Sequence, residues 1–115
     1  MYDYNLVNPD ECEFIEIVSQ DELDDGERLF IEVDEIQIVL FKIAGEYFSI
    51  GDVCSHDDGP LGDGDVEEFK VTCPRHGAKF DVRSGKALSL PAIVDIPAYP
   101  VRTVNNRIEI GLPVQ

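Results

Sequence analysis

Apolar residues in this chain recur at alternate positions or in short unbroken runs, each bounded by turn-forming residues. Phe14-Ile15-Glu16-Ile17 and Leu29-Phe30-Ile31-Glu32-Val33 have the period and the β-branched content of half-buried strands. Ile36 to Ile43 is longer and more uniformly apolar, and Ala44-Gly45 turns it into Glu46-Tyr47-Phe48-Ser49-Ile50, which predicts a hairpin. Phe69 to Thr72, Lys79 to Val82, Val101 to Val104 and Arg107 to Ile110 are further predicted strands. Asn105-Asn106 tolerates positive φ and suits the turn between the last two, and Arg83-Ser84-Gly85-Lys86 punctuates another pair. Ser19 to Glu27 is acidic with Leu23 as its one apolar anchor, and predicts a short helix or a loop. Pro91, Pro97 and Pro100 restrict any strand after Leu88 to a short or edge position. The expected class is all-β, a small antiparallel sandwich or barrel, with no internal repeat.

A length of 115 residues fits a single domain spanning 1–115. The net charge of −15 repels phosphate backbones and anionic lipid, so nucleic acid and membrane surfaces are not expected partners. No apolar run approaches the roughly 20 residues that span a bilayer. Met1-Tyr2-Asp3-Tyr4-Asn5 lacks the basic and apolar regions of an export signal, so a cytoplasmic location is expected. The charge is uneven: 21 of the 24 acids but only 3 of the 9 bases precede Val71, which predicts a dipolar molecule with one acidic face. Such a face serves solubility or docking equally well.

Three cysteines, an odd number, argue against a disulfide framework. Cys12, between Glu11 and Glu13, is expected to be a poor thiolate and a spare thiol. Cys54 and Cys73 differ, because each lies close to one of the chain's 2 histidines. The first loop reads Cys54-Ser55-His56-Asp57-Asp58-Gly59-Pro60-Leu61-Gly62, and the second Cys73-Pro74-Arg75-His76-Gly77-Ala78. Each offers one soft thiolate and one imidazole on a Gly/Pro-rich backbone that can bend tightly. Zinc accepts two sulfurs and two nitrogens, and so does a two-iron cluster with two cysteines on one iron and two histidines on the other. Common zinc sites pair like ligands in one knuckle, whereas here each loop mixes them. That favours the cluster, with a zinc-stabilised interaction module as the other reading.

At these residues the sequence resembles the Rieske iron–sulfur family. The family pattern is Cys-x-His followed, after a gap of about 15 to 17 residues, by Cys-x-x-His. Cys54, His56, Cys73 and His76 match all four positions. Phe48-Ser49-Ile50, Gly77, Phe80-Asp81, Ser84-Gly85 and the segment Leu90-Pro91-Ala92 extend the likeness over roughly residues 30 to 111. The resemblance implies a Rieske all-β fold with a cluster-binding subdomain of two ligand loops. It implies one 2Fe-2S cluster held by Cys54, His56, Cys73 and His76.

Departures from the pattern narrow the expectation. Relatives in respiratory and photosynthetic complexes carry two further cysteines that staple the loops; Gly59 and Arg75 stand in those places here. Those relatives also place hydroxyl donors where this chain has Ala78 and Phe80. The chain therefore resembles the soluble Rieske-type ferredoxins of oxygenase systems. With neutral histidines the oxidised cluster has no net charge, which raises its potential relative to four-cysteine clusters. The missing donors and the nearby aspartates lower it again, so a value near about −150 mV is expected. No Gly-x-Gly-x-x-Gly follows a strand, so nicotinamide or flavin belongs to another protein. The implied function is one-electron transfer, not catalysis, from an NAD(P)H-dependent reductase to a non-haem iron oxygenase. The alternative partner is the large subunit of a nitrite-reductase-type complex.

Overall fold

The computed structural model describes residues 8–54, 59–75, 77–92 and 94–113. Among these residues ten strands form three antiparallel sheets. In chain order they are β1 (Cys12–Ser19), β2 (Arg28–Val33), β3 (Ile36–Ile43), β4 (Glu46–Gly51), β5 (Val66–Glu67), β6 (Lys70–Thr72), β7 (Lys79–Asp81), β8 (Ala98–Tyr99), β9 (Val101–Val104) and β10 (Arg107–Pro113). The sheet orders are β1-β10-β9, β2-β3-β4-β8 and β5-β6-β7. The all-β class and the antiparallel pairing agree with the sequence reading.

The unbroken apolar run of β3 has a specific cause. Adjacent side chains of a strand point to opposite faces, and β3 is buried on both. Ile38 and Leu40 join Ile108, Ile110 and Leu112 in a core between the first two sheets. Val39 and Phe41 join Ile50, Val71, Phe80, Cys54 and Cys73 in a second core. The central sheet thus has a sandwich core on one face and the two sulfur-bearing loops on the other. Burying each Ile, Leu, Val or Phe contributes roughly 1.5–3 kcal/mol, so the second core anchors both loops to the sheet.

The turns follow local chemistry. Ala44 and Gly45 both adopt positive φ in the β3–β4 hairpin, as do Asn105 and Asn106 between β9 and β10. The acidic segment after β1 resolves as a single 3₁₀ turn, Gln20–Glu22, capped by Ser19. Leu23 alone is buried there, and one apolar anchor cannot supply the stripe that a longer helix must bury. Pro97 and Pro100 flank the two-residue β8, confining it to the edge of its sheet. Among the described residues, no helix is long and apolar enough to cross a membrane.

Asp81 fixes the turn after β7. Its carboxylate accepts from the Arg83 backbone N–H at 2.8 Å and from Arg83 Nε and Nη2 at 3.0 and 2.8 Å. Burial pushes its carboxyl pKa up, but these bonds and the charges of Arg83 and Lys70 outweigh burial and hold it below the ordinary value. A carboxyl with a lowered folded-state pKa contributes stability above its unfolded pKa of about 3.9, and that contribution is lost as pH falls through the folded value. Asp81→Asn is therefore expected to melt below the parent at pH 7, with the gap narrowing on acidification through that range. Paired thermal melts check this; a gap independent of pH would contradict the assignment.

Candidate metal centre

Cys54 follows β4 and Cys73 follows β6, and the core between the sheets pulls both inward. Their relative exposures are 0% and 1%, and they share a buried cluster with Leu61, Ala78, Phe80 and Ala92. Two thiols 19 residues apart in sequence are therefore part of one buried cluster. His56, Asp57, Asp58 and His76 lie outside the described residues.

Each loop is closed by its own backbone. Cys54 N donates to the Gly59 carbonyl at 2.8 Å, Cys73 N to Ala78 O at 2.7 Å, and Gly77 N to Cys73 O at 3.0 Å. Gly77 has φ +78°, a conformation that an L side chain rarely adopts. The Asp52 carboxylate caps the first loop from the sheet side, with Oδ1 accepting from Leu61 N at 2.9 Å and Gly62 N at 2.6 Å. From behind, Arg28 Nη1 donates to the Gly62 carbonyl and, at 2.7 Å, to Gly64 O. The second loop is covered by the proline-containing segment: Ser89 Oγ accepts from Lys79 N at 3.1 Å, and Ala92 is buried against the cysteines' cluster.

Some of these residues were invisible in the sequence. Asp52 reads there only as one more acid near the first loop, yet its role is to hold two backbone N–H groups. Arg28 lies more than thirty residues from the carbonyls it binds, and no local motif announces it. The one hint in the sequence is that Arg28 is one of only 3 bases, against 21 acids, before Val71. Cys12 behaves as expected: burial first, then the Glu11 carboxylate, pushes its thiol pKa above the ordinary value. It starts β1, opposite Pro113, in the outer sheet.

The donor set fits an iron–sulfur group. Two buried sulfurs sit at the ends of two tightly closed loops, beneath an apolar wall, with an imidazole two or three residues further along each chain segment. The family model of the Rieske [2Fe-2S] domain matches residues 13–100. The chain belongs to the Rieske family. It is 33% identical over 99 residues to the ferredoxin component of the naphthalene 1,2-dioxygenase system of Pseudomonas putida, covering 86% of this chain and 95% of that protein. The 3-phenylpropionate/cinnamic acid dioxygenase ferredoxin subunit of Escherichia coli K12 is 40% identical over 90 residues, 77% of this chain and 84% of the relative. Among solved structures, the ferredoxin of carbazole 1,9a-dioxygenase from Nocardioides aromaticivorans IC177 superposes with a TM-score of 0.79 at 25% identity, covering 84% and 95% of the two chains.

This Rieske ferredoxin carries one 2Fe-2S cluster and is an electron carrier, not a catalyst. The zinc-module reading is set aside by the family. Ala78 and Phe80, where a hydroxyl donor was missing, are both fully buried, so no solvent replaces the absent hydrogen bonds.

Proposed function

We propose that Cys54 and Cys73 ligate one iron and His56 and His76 the other. With this cluster the chain, acting as one cytoplasmic domain, passes single electrons from an NAD(P)H-dependent reductase to a non-haem iron oxygenase. The observation that carries the reading is the convergence of Cys54 and Cys73 in one buried cluster, each just ahead of a histidine. The bound cluster supplies one-electron chemistry at a centre whose oxidised form is uncharged, so an added electron meets less repulsion than at a four-thiolate cluster. The protein's part is to hold the loops, exclude water and present a docking face.

That face has an apolar rim. Leu88, Leu90 and Val94 are 40%, 76% and 60% exposed in the segment that covers the second loop. Large apolar groups clustered beside a redox site fit a transient protein contact. Arg75 and Lys79 in and after the second loop, with Asp63 and Asp65 following the first, make the surroundings bipolar, and complementary charge chiefly raises the association rate. Electron delivery is expected to slow as ionic strength rises from about 0.01 M to about 1 M, where the Debye length falls from about 30 Å to about 3 Å. Stopped-flow reduction by a reductase, then oxidation by an oxygenase, tests this. Rates indifferent to salt, or a ferredoxin that purifies only bound to a large reductase subunit, would count against a mobile carrier.

The missing donors give a second expectation. Ala78→Ser and Phe80→Tyr should each raise the reduction potential, because an added hydrogen bond strengthens as the centre gains negative charge. A net gain of about 1 kcal/mol corresponds to about 40 mV for a one-electron couple. Protein-film voltammetry measures it; a fall in potential in both variants, with the cluster intact, would contradict the account.

A further inference from the structure

The two loops are tied to each other through one side chain. Arg75, between Cys73 and His76 in sequence, reaches across to the first loop, where its Nη1 donates to the Pro60 carbonyl at 2.6 Å. Its guanidinium also lies against the neighbouring glycine. A Cβ built on Gly59 would sit 2.7 Å from Arg75 Cζ and Nη2 and 3.0 Å from Nε. A side chain there would require the guanidinium to move aside. Gly59 is in turn the residue whose carbonyl accepts from Cys54 N at 2.8 Å. The chain of contacts therefore runs Cys54, Gly59-Pro60, Arg75, and back along two residues to Cys73. Asp52 and Arg28 also brace the first loop, but their bonds go to its own backbone and to the sheet side.

We propose that Arg75, seated on Gly59 and bonded to Pro60, is a positioning residue: a non-covalent staple that holds the two ligand loops closed around the cluster and slows its release. Arginine suits this task. Its guanidinium is planar, permanently charged and weakly hydrated, so one face can lie flat on a glycine while an edge donates to a carbonyl. A lysine in its place offers a point charge without the flat face. The staple rests on the reading that these loops enclose the 2Fe-2S cluster, and it goes beyond that reading by assigning loop closure to a residue that is not a ligand.

The geometry dictates a double-mutant cycle on the loaded protein. Arg75→Ala removes the staple; Gly59→Ala leaves Arg75 in the chain but evicts its guanidinium. Each is expected to speed the loss of visible absorbance under excess iron chelator by about tenfold, the factor that a charged hydrogen bond of ordinary strength corresponds to. Combined, they should be no faster than either alone, because Gly59→Ala has nothing left to evict. Hydrogen exchange read by mass spectrometry on the peptide containing Cys54 should rise in both single variants, as the first loop opens. Arg75→Lys should fall between parent and Arg75→Ala, and it replaces Arg75→Ala in the cycle if the latter does not assemble. Multiplying effects in the double variant, or parental release in Arg75→Ala, would overturn the staple. A parent protein without iron and sulfide would instead overturn the ligand reading itself.

Discussion

Cys54→Ser and Cys73→Ser should each reduce iron and acid-labile sulfide from about two of each per chain to near zero. On the proposed assignment each cysteine supplies one of the two thiolates to one iron, and a serine hydroxyl, far less acidic than a thiol, stays protonated at neutral pH. The two sites are almost fully excluded from solvent, so no water or external thiol readily replaces the lost ligand. Cys12→Ser is the matched control. Cys12 lies at the start of β1 in the outer sheet, and its raised pKa leaves it a thiol at neutral pH. Its loss should leave the visible spectrum unchanged. Iron analysis and absorbance on the three variants settle the matter, and a bleached Cys12→Ser beside an intact Cys54→Ser would reverse the ligand assignment.

Gly64→Ala should be nearly as damaging, through folding instead of ligation. A Cβ on Gly64 would sit 1.6 Å from the Thr72 carbonyl oxygen and 2.7 Å from its carbon. That neighbour is backbone and cannot swing aside. Thr72 immediately precedes Cys73, so the displacement would be passed directly to a proposed ligand. The expected loss is about 4 kcal/mol or more, in the range reserved for severe steric or core defects. That is a large share of a typical stability of about 5–15 kcal/mol. Gly77→Ala provides the contrast. Among the described residues a Cβ there meets nothing within 4 Å, so the expected cost is that of the left-handed backbone, about 1–2 kcal/mol. Denaturant midpoints of the loaded proteins should fall in the order parent, Gly77→Ala, Gly64→Ala; a parental midpoint for Gly64→Ala would show the contact to be wrong.

Much of the fold was legible because its strands are patterned locally. The alternation in β2, the Ala44-Gly45 hairpin and the Asn105-Asn106 turn are all written within a few residues of where they act. The double-sided burial of β3 was half legible: the apolar run showed a buried strand but not that it separates two cores. Other features are set by tertiary contact. β5 has only two residues, Val66 and Glu67, and exists because the Glu68-Phe69 turn, with Glu68 at φ 58°, folds it onto β6. The metal centre divides in the same way. The spacing of its proposed ligands, two cysteines and two histidines, can be read directly from the sequence. Its supports cannot be so read: Arg28, Asp52, Gly64 and the Arg75–Gly59 contact depend on segments that meet only after folding.

Labelling the histidines with ¹⁵N and recording electron–nuclear double resonance on the reduced protein tests the central claim most directly. The chain has only 2 histidines, so any coupled label comes from His56 or His76. Two distinct ¹⁵N couplings, from a protein with about two irons and two sulfides, are the predicted result. Loss of one coupling in His56→Ala and of the other in His76→Ala would assign them. A full cluster with no ¹⁵N coupling would place its ligands elsewhere and contradict the account.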